Sequence, residues 1–399
     1  MTALSGLRVI DATEGVAGGY CTRLLAGLGA DVIKMERPII GDTLRRVGPF
    51  LADVPNIETS ASHLHLGAGK RSVTLDVGVS SGADLLGRLL TDADVFLANS
   101  PAQLPEQVRD ELGDRYPNLI VTWITPFGTN GPHAAWRSTD IVAHAIGGYL
   151  AMTGDPDREP VKPYGEQSAY QASLHAALGV VAALAARDRT GAGGQEVDVA
   201  ASEASSFLIG GALARAFIFG RESTRNGTRP VGMPAAYLYP SVIRPCLDGH
   251  VYVHRHNRFP DLLAALTQEP RLADRDLLAQ PLGHADETDE LVDRWLATRD
   301  KWQAVCEAQE LRVPLTEVLD PGEVVDDRLG QLTARAFFVE TNHPRAGVIK
   351  MPGAPIVMPA SPWTTRRAPL LGEHNDEIYR GELGLSRRSV RLLAAAGVI

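Results

Sequence analysis

At 399 residues, with 44% hydrophobic and 22% charged side chains, the chain is long enough to bury a sizeable core, and its length predicts two domains. A net charge of -9 with no Lys/Arg run argues against a nucleic-acid surface, so an anionic ligand would need a local basic site. Cys21, Cys246 and Cys306 are odd in number, scattered and without metal-type spacing, which argues against a disulfide framework and for a reducing cytoplasm.

The opening "MTALSGLRVIDATEG" has no charged leader followed by an apolar block, and no apolar run reaches the roughly 18 residues of a membrane span; a soluble, unexported, cytoplasmic chain is expected. "LRVIDA" is a β-branched run, "AGGYCTRLLAGLGA" has helical apolar spacing at Leu24, Leu25 and Leu28, and "DVIKMERP" is a strand stopped by Pro38. This β-α-β unit is followed by "KRSVTLDV", "GADLLGRLLTDA" and "DVFLANS" in the same rhythm, and "PNLIVTWITPFG" adds another buried strand. The expected fold class is therefore α/β, a Rossmann-like parallel sheet with helices on both faces.

From Ser173 to Arg187 the sequence is apolar on nearly every side and ends at the turn "DRTGAGGQ", as in a helix buried in a large core or between subunits and too short to cross a membrane. "GRESTRNGTRPVG" reads as a crossing into a second domain, "CLDGHVYVHRH" as a hairpin, and Asp261 to about Asp327 as a small, mainly helical domain. "GVIKMPGAPIVM" returns to strand character and "RRAPLLGEHNDEIYRGELG" to loop, and both should pack back on the first domain. The expected divisions are 1-220, 221-330 and 331-399.

A dinucleotide site would place G-x-G-x-x-G after the first strand, but "EGVAGGY" has other spacing; the helix start there can still receive an anion. His250, His254 and His256 alternate along one strand and read as solvated side chains rather than a metal patch. His144 and His175 read as core histidines. Cys21, near a helix start that would lower a thiol pKa, reads as a small buried residue. No nucleophile elbow of the G-x-S-x-G type is visible.

Taken in order, "LSGLRVIDATEGVAGGYCTRLLAGLGADVIKMERPIIGD", "GKRSVTLDV", "DVFLANS", "TPFGTNGP" and "LLGEHNDEI" resemble the family III CoA-transferases, the group of formyl-CoA transferase, carnitine CoA-transferase and α-methylacyl-CoA racemase. The resemblance implies a large domain built from both chain ends, a smaller mainly helical domain, and two chains interlocked like rings. It implies coenzyme A as substrate or product, held at the positions of Val16, Arg37, Lys70, Arg71, Asn99 and Arg137, with acyl-CoA and a carboxylic acid as reactants and no permanent cofactor or metal. Arginine suits the CoA phosphates because it can hold them bidentately.

In that family an Asp at the start of the long apolar helix attacks the thioester and forms a mixed anhydride, then an enzyme-bound CoA thioester. Aligned without gaps from "EPVKP" through "AALG", that Asp falls on Ala169, and the His of the racemase branch falls on Thr139. Glu166, three residues upstream of Ala169, is the remaining carboxylate candidate. Three expectations follow: the non-nucleophilic subunit of a heteromer whose paralogous chain supplies the Asp, an active transferase or isomerase using Glu166 or a substrate carboxylate, or a CoA-ester-binding protein without turnover. The assembly would be a homodimer or a heteromer.

Overall fold

Alternating apolar side chains in the N-terminal strands decide the layering. In the computed structural model, which describes residues 2–225, 227–229, 239–255 and 259–399, β1 (Arg8–Asp11) sends Val9 to one face of a sheet and Ile10 to the other. β2 (Asp31–Glu36), β3 (Arg71–Thr74), β4 (Val95–Ala98), β5 (Ile120–Thr125) and β6 (Glu196–Ala200) complete six parallel strands in the order β3-β2-β1-β4-β5-β6. Val9 is in register with Val32 on one side and Val95 on the other.

The helices of this half are α1 (Gly15–Gly27), α2 (Ala61–Leu66), α3 (Ser80–Leu90), α4 (Glu106–Arg115), α5 (Asp140–Ile146), α6 (Gln167–Thr190) and α7 (Ala201–Leu208). α1 and α6 cover one face through Cys21, Leu25, Ala172, Ala176 and Val180. α3 and the C-terminal residues Ile378, Tyr379, Val398 and Ile399 cover the other. Because the chain winds outward in both directions from the neighbours β1 and β4, their carboxyl ends form the crevice in which such sheets bind ligands. The expected Rossmann-like α/β layering is present.

α6 is longer than its sequence suggested: 24 residues rather than Ser173 to Arg187. By length and composition it could cross a bilayer, so the expectation that it is too short is corrected, although its Ala172–Ala176–Val180–Ala183 stripe packs on the sheet and α1. Leu174, Leu178 and Val181, on another side, are 44%, 68% and 38% exposed.

By its contacts the chain divides into two compact units, one of Met1–Gly148, Pro163–Leu208 and Gln331–Ile399, the other of Tyr149–Lys162 and Ile209–Gly330. The second contains α8 (Gly210–Phe219), the antiparallel sheet of β7 (Ser241–Cys246), β8 (Gly249–His254) and β9 (Leu315–Glu317), and α9 (Asp261–Thr267), α10 (Arg275–Ala279), α11 (Ala285–Leu296), α12 (Lys301–Glu310) and α13 (Pro321–Asp326). Its core joins Val251 and Val253 to Leu263, Leu291, Trp295 and Ala304. "GHVYVHRH" thus supplies buried valines on one face, with exposed His250 and half-buried His254 on the other; His256 lies outside the described residues, as does part of "GRESTRNGTRPVG".

The C-terminal return to the first unit comprises α14 (Gln331–Ala334), the hairpin β10 (Phe338–His343) and β11 (Gly347–Pro352), a π-helical turn at Asp376–Glu382 and α15 (Arg387–Ala395). It closes the open edge of β3. The Ser72 amide donates to His374 Nδ1 at 3.1 Å and the Thr74 amide to Asn375 Oδ1 at 2.9 Å, while Tyr379 Oη donates to Thr74 O at 2.8 Å. Side chains of "LLGEHNDEI" thereby satisfy backbone groups that an uncovered edge strand would leave to water or to another chain.

Candidate functional site

The crevice at the carboxyl ends of β1, β2 and β4 is a cleft of about 160 Å³ lined by Thr13, Glu14, Arg37, Asp42, Leu75 and Gln103 among others. Beneath it lies a buried charge network. Asp11, fully buried, accepts from Thr13 Oγ1 and Thr22 Oγ1 at 2.6 Å each and from Lys70 Nζ at 3.2 Å. Lys34 Nζ sits 2.8 Å from Asp42 Oδ2 and 3.5 Å from Asp11 Oδ1. Burial would raise the Asp11 pKa, but Lys34, Lys70 and the two hydroxyls hold it well below the usual carboxylate range. Burial pulls the Lys70 ammonium below its ordinary value, against the pull of Asp11.

A second buried pair stands beside this network. Arg45, with no exposed surface, holds Glu36 through two bonds, Nε to Oε1 at 2.6 Å and Nη2 to Oε2 at 2.9 Å, and reaches Glu58 Oε2 at 2.7 Å. Burial opposes ionisation of Glu36, yet the Arg45 fork and the Ser72 hydroxyl bring its pKa down to about 2.

The structure separates the expected CoA contacts into two groups. Lys70 is 5% exposed, and its ammonium is taken up by Asp11 and by Gly19 O at 3.0 Å. The Arg71 guanidinium bonds Asp31, Glu377 and Glu382. Both basic residues of "GKRS" therefore face internal partners rather than the cleft. Arg37, by contrast, has a 68% exposed side chain, lines the cleft and meets Glu14 at 3.1 Å. Asn99 Oδ1 accepts from the Glu14 amide, fixing the β1 loop against the end of β4. Val16 lies half-buried in the first turn of α1, and Arg137 is exposed, with no hydrogen bond or ion pair to another described residue.

Within "EGVAGGY" Gly18 has a packing role. A Cβ on Gly18 would fall 1.8 Å from Thr13 Oγ1, so glycine lets that hydroxyl reach Asp11. The Gly15 amide, at the start of α1, is already bonded to Asp42 Oδ1 at 3.1 Å. Cys21 is fully buried, and burial together with Asp11 pushes its thiol up, which suits the structural role expected of it.

Ala169 occupies the first turn of α6, half-buried, and the exposed Glu166 stands just before the helix. α6 meets α1 here: Ser173 Oγ donates to Ala17 O and to Ala169 O, and Tyr170 packs edge-on against Tyr20 with ring centroids 4.9 Å apart. The first turn of α1, which holds Val16, and the first turn of α6, which holds Ala169, are thus brought together. Sequence reasoning missed Asp140, which caps α6 by accepting from the Ser168 amide at 2.8 Å and Ser168 Oγ at 2.7 Å. It follows Thr139, the residue before α5, and joins that position to the Ala169 turn. The cue was available in an acidic residue opening one helix and a Ser near the start of another, but nothing local paired them. His144, buried on α5, lies 3.8 Å from the other Asp140 oxygen, and His175 Nδ1 lies 2.8 Å from Gln171 O. Among the described residues no group of three or more His, Cys, Asp or Glu is placed to hold a metal ion.

A family model described as CoA-transferase family III matches residues 4–375. Formyl-CoA:oxalate CoA-transferases from Streptomyces avermitilis and Streptomyces coelicolor are 33% and 32% identical, each alignment covering 100% of this chain and 99% of the relative. Among solved structures, a CAIB/BAIF family protein from Brucella suis superposes with a TM-score of 0.83 at 26% identity, covering 95% of this chain and 99% of that one. Rv3272 from M. tuberculosis gives 0.77 at 26% identity, covering 94% and 98%. With the family model spanning nearly the whole length and relatives aligned end to end, this chain belongs to the family III CoA-transferases.

Proposed function

We propose that the chain binds a CoA thioester at the crevice between β1 and β4, with Arg37 as a phosphate contact, and acts as the non-nucleophilic subunit of a heteromeric CoA-transferase that moves CoA between an acyl-CoA and a carboxylic acid. The observation that carries this is Ala169 in the first turn of α6, where the family resemblance calls for an Asp. A methyl group cannot attack a thioester, so the covalent half of the reaction has to come from another chain. Arg137, Asn99 and Val16 are proposed to join Arg37 in holding CoA. Lys70 and Arg71 would have to leave existing ion pairs to do so and are proposed instead to shape the floor of the site. Relatives named for formyl-CoA and oxalate favour small acids as reactants.

A second reading rests on Glu166. Its exposed carboxylate, three residues before Ala169, could act as a displaced nucleophile in an active transferase. Asp140, the other carboxylate nearby, is engaged at the head of α6, where one of its oxygens accepts two hydrogen bonds. The test is to assay the purified chain, alone and mixed with a paralogous chain carrying the Asp, for CoA exchange between acyl-CoA esters and carboxylates, with mass spectrometry for covalent adducts. Exchange that appears only in the mixture, with no adduct on this chain, supports the heteromer. An adduct on Glu166 would replace that reading with the second, and CoA binding without exchange in either preparation would leave a binding protein.

A further inference from the structure

Arg23, on the third turn of α1, is 2% exposed, and its Nε and Nη1 have no hydrogen-bond partner among the described residues. Burial lowers its pKa only to about 10, with Tyr20 opposing, so it remains a cation at neutral pH. A buried cation without a counter-ion is costly and calls for a partner. The guanidinium lies over the Trp363 ring, 5.1 Å from its centroid, and Trp363 itself fits because Gly27 has no side chain: a Cβ there would fall 2.0 Å from the indole.

These residues line a pocket of about 80 Å³ together with Tyr20, His65, Phe337 and the exposed rim residue Pro352. That volume is several times the roughly 10–15 Å³ a single water needs. Among the described residues, His65 Nδ1 and Trp363 Nε1, like Arg23 Nε and Nη1, are buried without hydrogen-bond partners, and no Asp or Glu lines the pocket. Three side chains with buried, unpartnered nitrogens thus line a space that has no carboxylate among its lining residues. Guanidinium, indole N–H and imidazole are the set a compact oxyanion would satisfy.

We infer that this pocket is a binding site for a small carboxylate, separate from the CoA crevice, with Arg23 as its anchoring cation and Trp363 and His65 as neutral contacts. It does not depend on the reading of Ala169. Tyr20 connects it to the head of α6 through its contact with Tyr170, so occupancy there would be felt one residue from Ala169.

Calorimetric titration of the full chain with acetate, oxalate and inorganic phosphate tests the site, in wild type, Arg23→Met and Trp363→Phe, with CoA titrated in parallel. A carboxylate should bind the wild type and lose about tenfold or more in affinity in Arg23→Met, the loss of a charged hydrogen bond. Trp363→Phe keeps the stacked ring but lacks the N–H, and should weaken carboxylate binding to a smaller degree. CoA affinity should stay unchanged in both variants. Thermal melting of Arg23→Met should show a folded protein, since an apolar side chain of similar length relieves an unpaired charge. Equal carboxylate affinity in wild type and Arg23→Met overturns the inference, as does binding of phosphate but of neither carboxylate. If no anion binds and Arg23→Met changes the molecular mass in solution, the counter-ion belongs to another chain and the carboxylate site is disproved.

Discussion

The Lys70 ammonium lies 3.2 Å from Asp11 Oδ2 with 2% of its side chain exposed, whereas the Arg37 guanidinium stands 68% exposed at the rim of the cleft. The two positions carry the same charge, and the difference in burial separates their roles. Lys70→Met should destabilise the fold by about 3–5 kcal/mol, because it leaves Asp11 with one of its buried cations missing. Arg37→Ala should leave the melting temperature unchanged and weaken CoA binding by about 1–3 kcal/mol. Calorimetry and melting curves on both variants decide the matter, and a stable Lys70→Met protein with lost CoA affinity would reverse the assignment. The buried groups also set an acid limit. His63, its Nε2 3.0 Å from Pro369 O, has its pKa lowered to about 4 by burial and by Arg45. A histidine held neutral in the fold contributes stability that is present above its unfolded pKa near 6.5 and is lost as pH falls toward 4. Glu36, at about 2, adds a loss that begins below the ordinary carboxylate pKa near 4.5 and continues toward 2. Stability should therefore fall in two stages on acidification, and His63→Gln should reduce the first, to which His65, lowered to about 4 by burial and by Arg23, also contributes. An unchanged slope between pH 6.5 and 4 in that variant would remove His63 from the account.

At the scale of elements, the strands and the helices between them were legible because a parallel sheet buried on both faces writes itself as short β-branched runs separated by helical spacing. What could not be read was the role of the charges inside those runs. "DVIKMERP" and "GKRSVTLDV" look like strands carrying surface cations, yet Lys34, Glu36 and Lys70 are 4–6% exposed, since their partners come from other elements: Asp42 and Arg45 from the segment after β2, Asp11 from β1 and Ser72 from β3. The same limit applies to the candidate site: Arg37 and the Ala169 turn follow from local pattern plus resemblance, but the Asp140 cap on Ser168 is a pairing across 28 positions. "LLGEHNDEI" is a further case. Read as a signature it suggests function, but its His374 and Asn375 spend their polar atoms on the amides of β3. Asn375 also donates to Thr74 Oγ1 at 2.7 Å. Asn375→Ala should cost about 1–3 kcal/mol by leaving the Thr74 amide without its acceptor. Hydrogen exchange at that amide should accelerate while amides in β5 keep their protection. Equal exchange in variant and wild type would show that another acceptor replaces Asn375.

For the whole molecule, α6 presents an apolar stripe to solvent. One side of this helix fills the core beside the sheet, yet Leu174, Leu178 and Val181 form a stripe with spacings of four and three residues that stays 38–68% exposed. Phe207, on α7 in the same unit, is 77% exposed and meets His175 of α6 edge-on, extending the apolar surface. Patches of this kind mark surfaces that associate. Association here would also bear on the proposed chemistry, because the same helix begins with the Ala169 turn, so a chain docked along α6 would lie beside the position proposed to lack a nucleophile. Leu178→Glu puts a charge in the middle of the stripe without touching the core side of the helix. It should lower the mass seen by light scattering toward that of a single chain, and should abolish any CoA exchange that depends on a paralogous partner while leaving CoA affinity at Arg37 intact. If the mass is unchanged, the stripe is not the interface. If the mass falls but exchange survives at full rate, the activity belongs to the separate chains and the heteromer proposed from Ala169 is wrong.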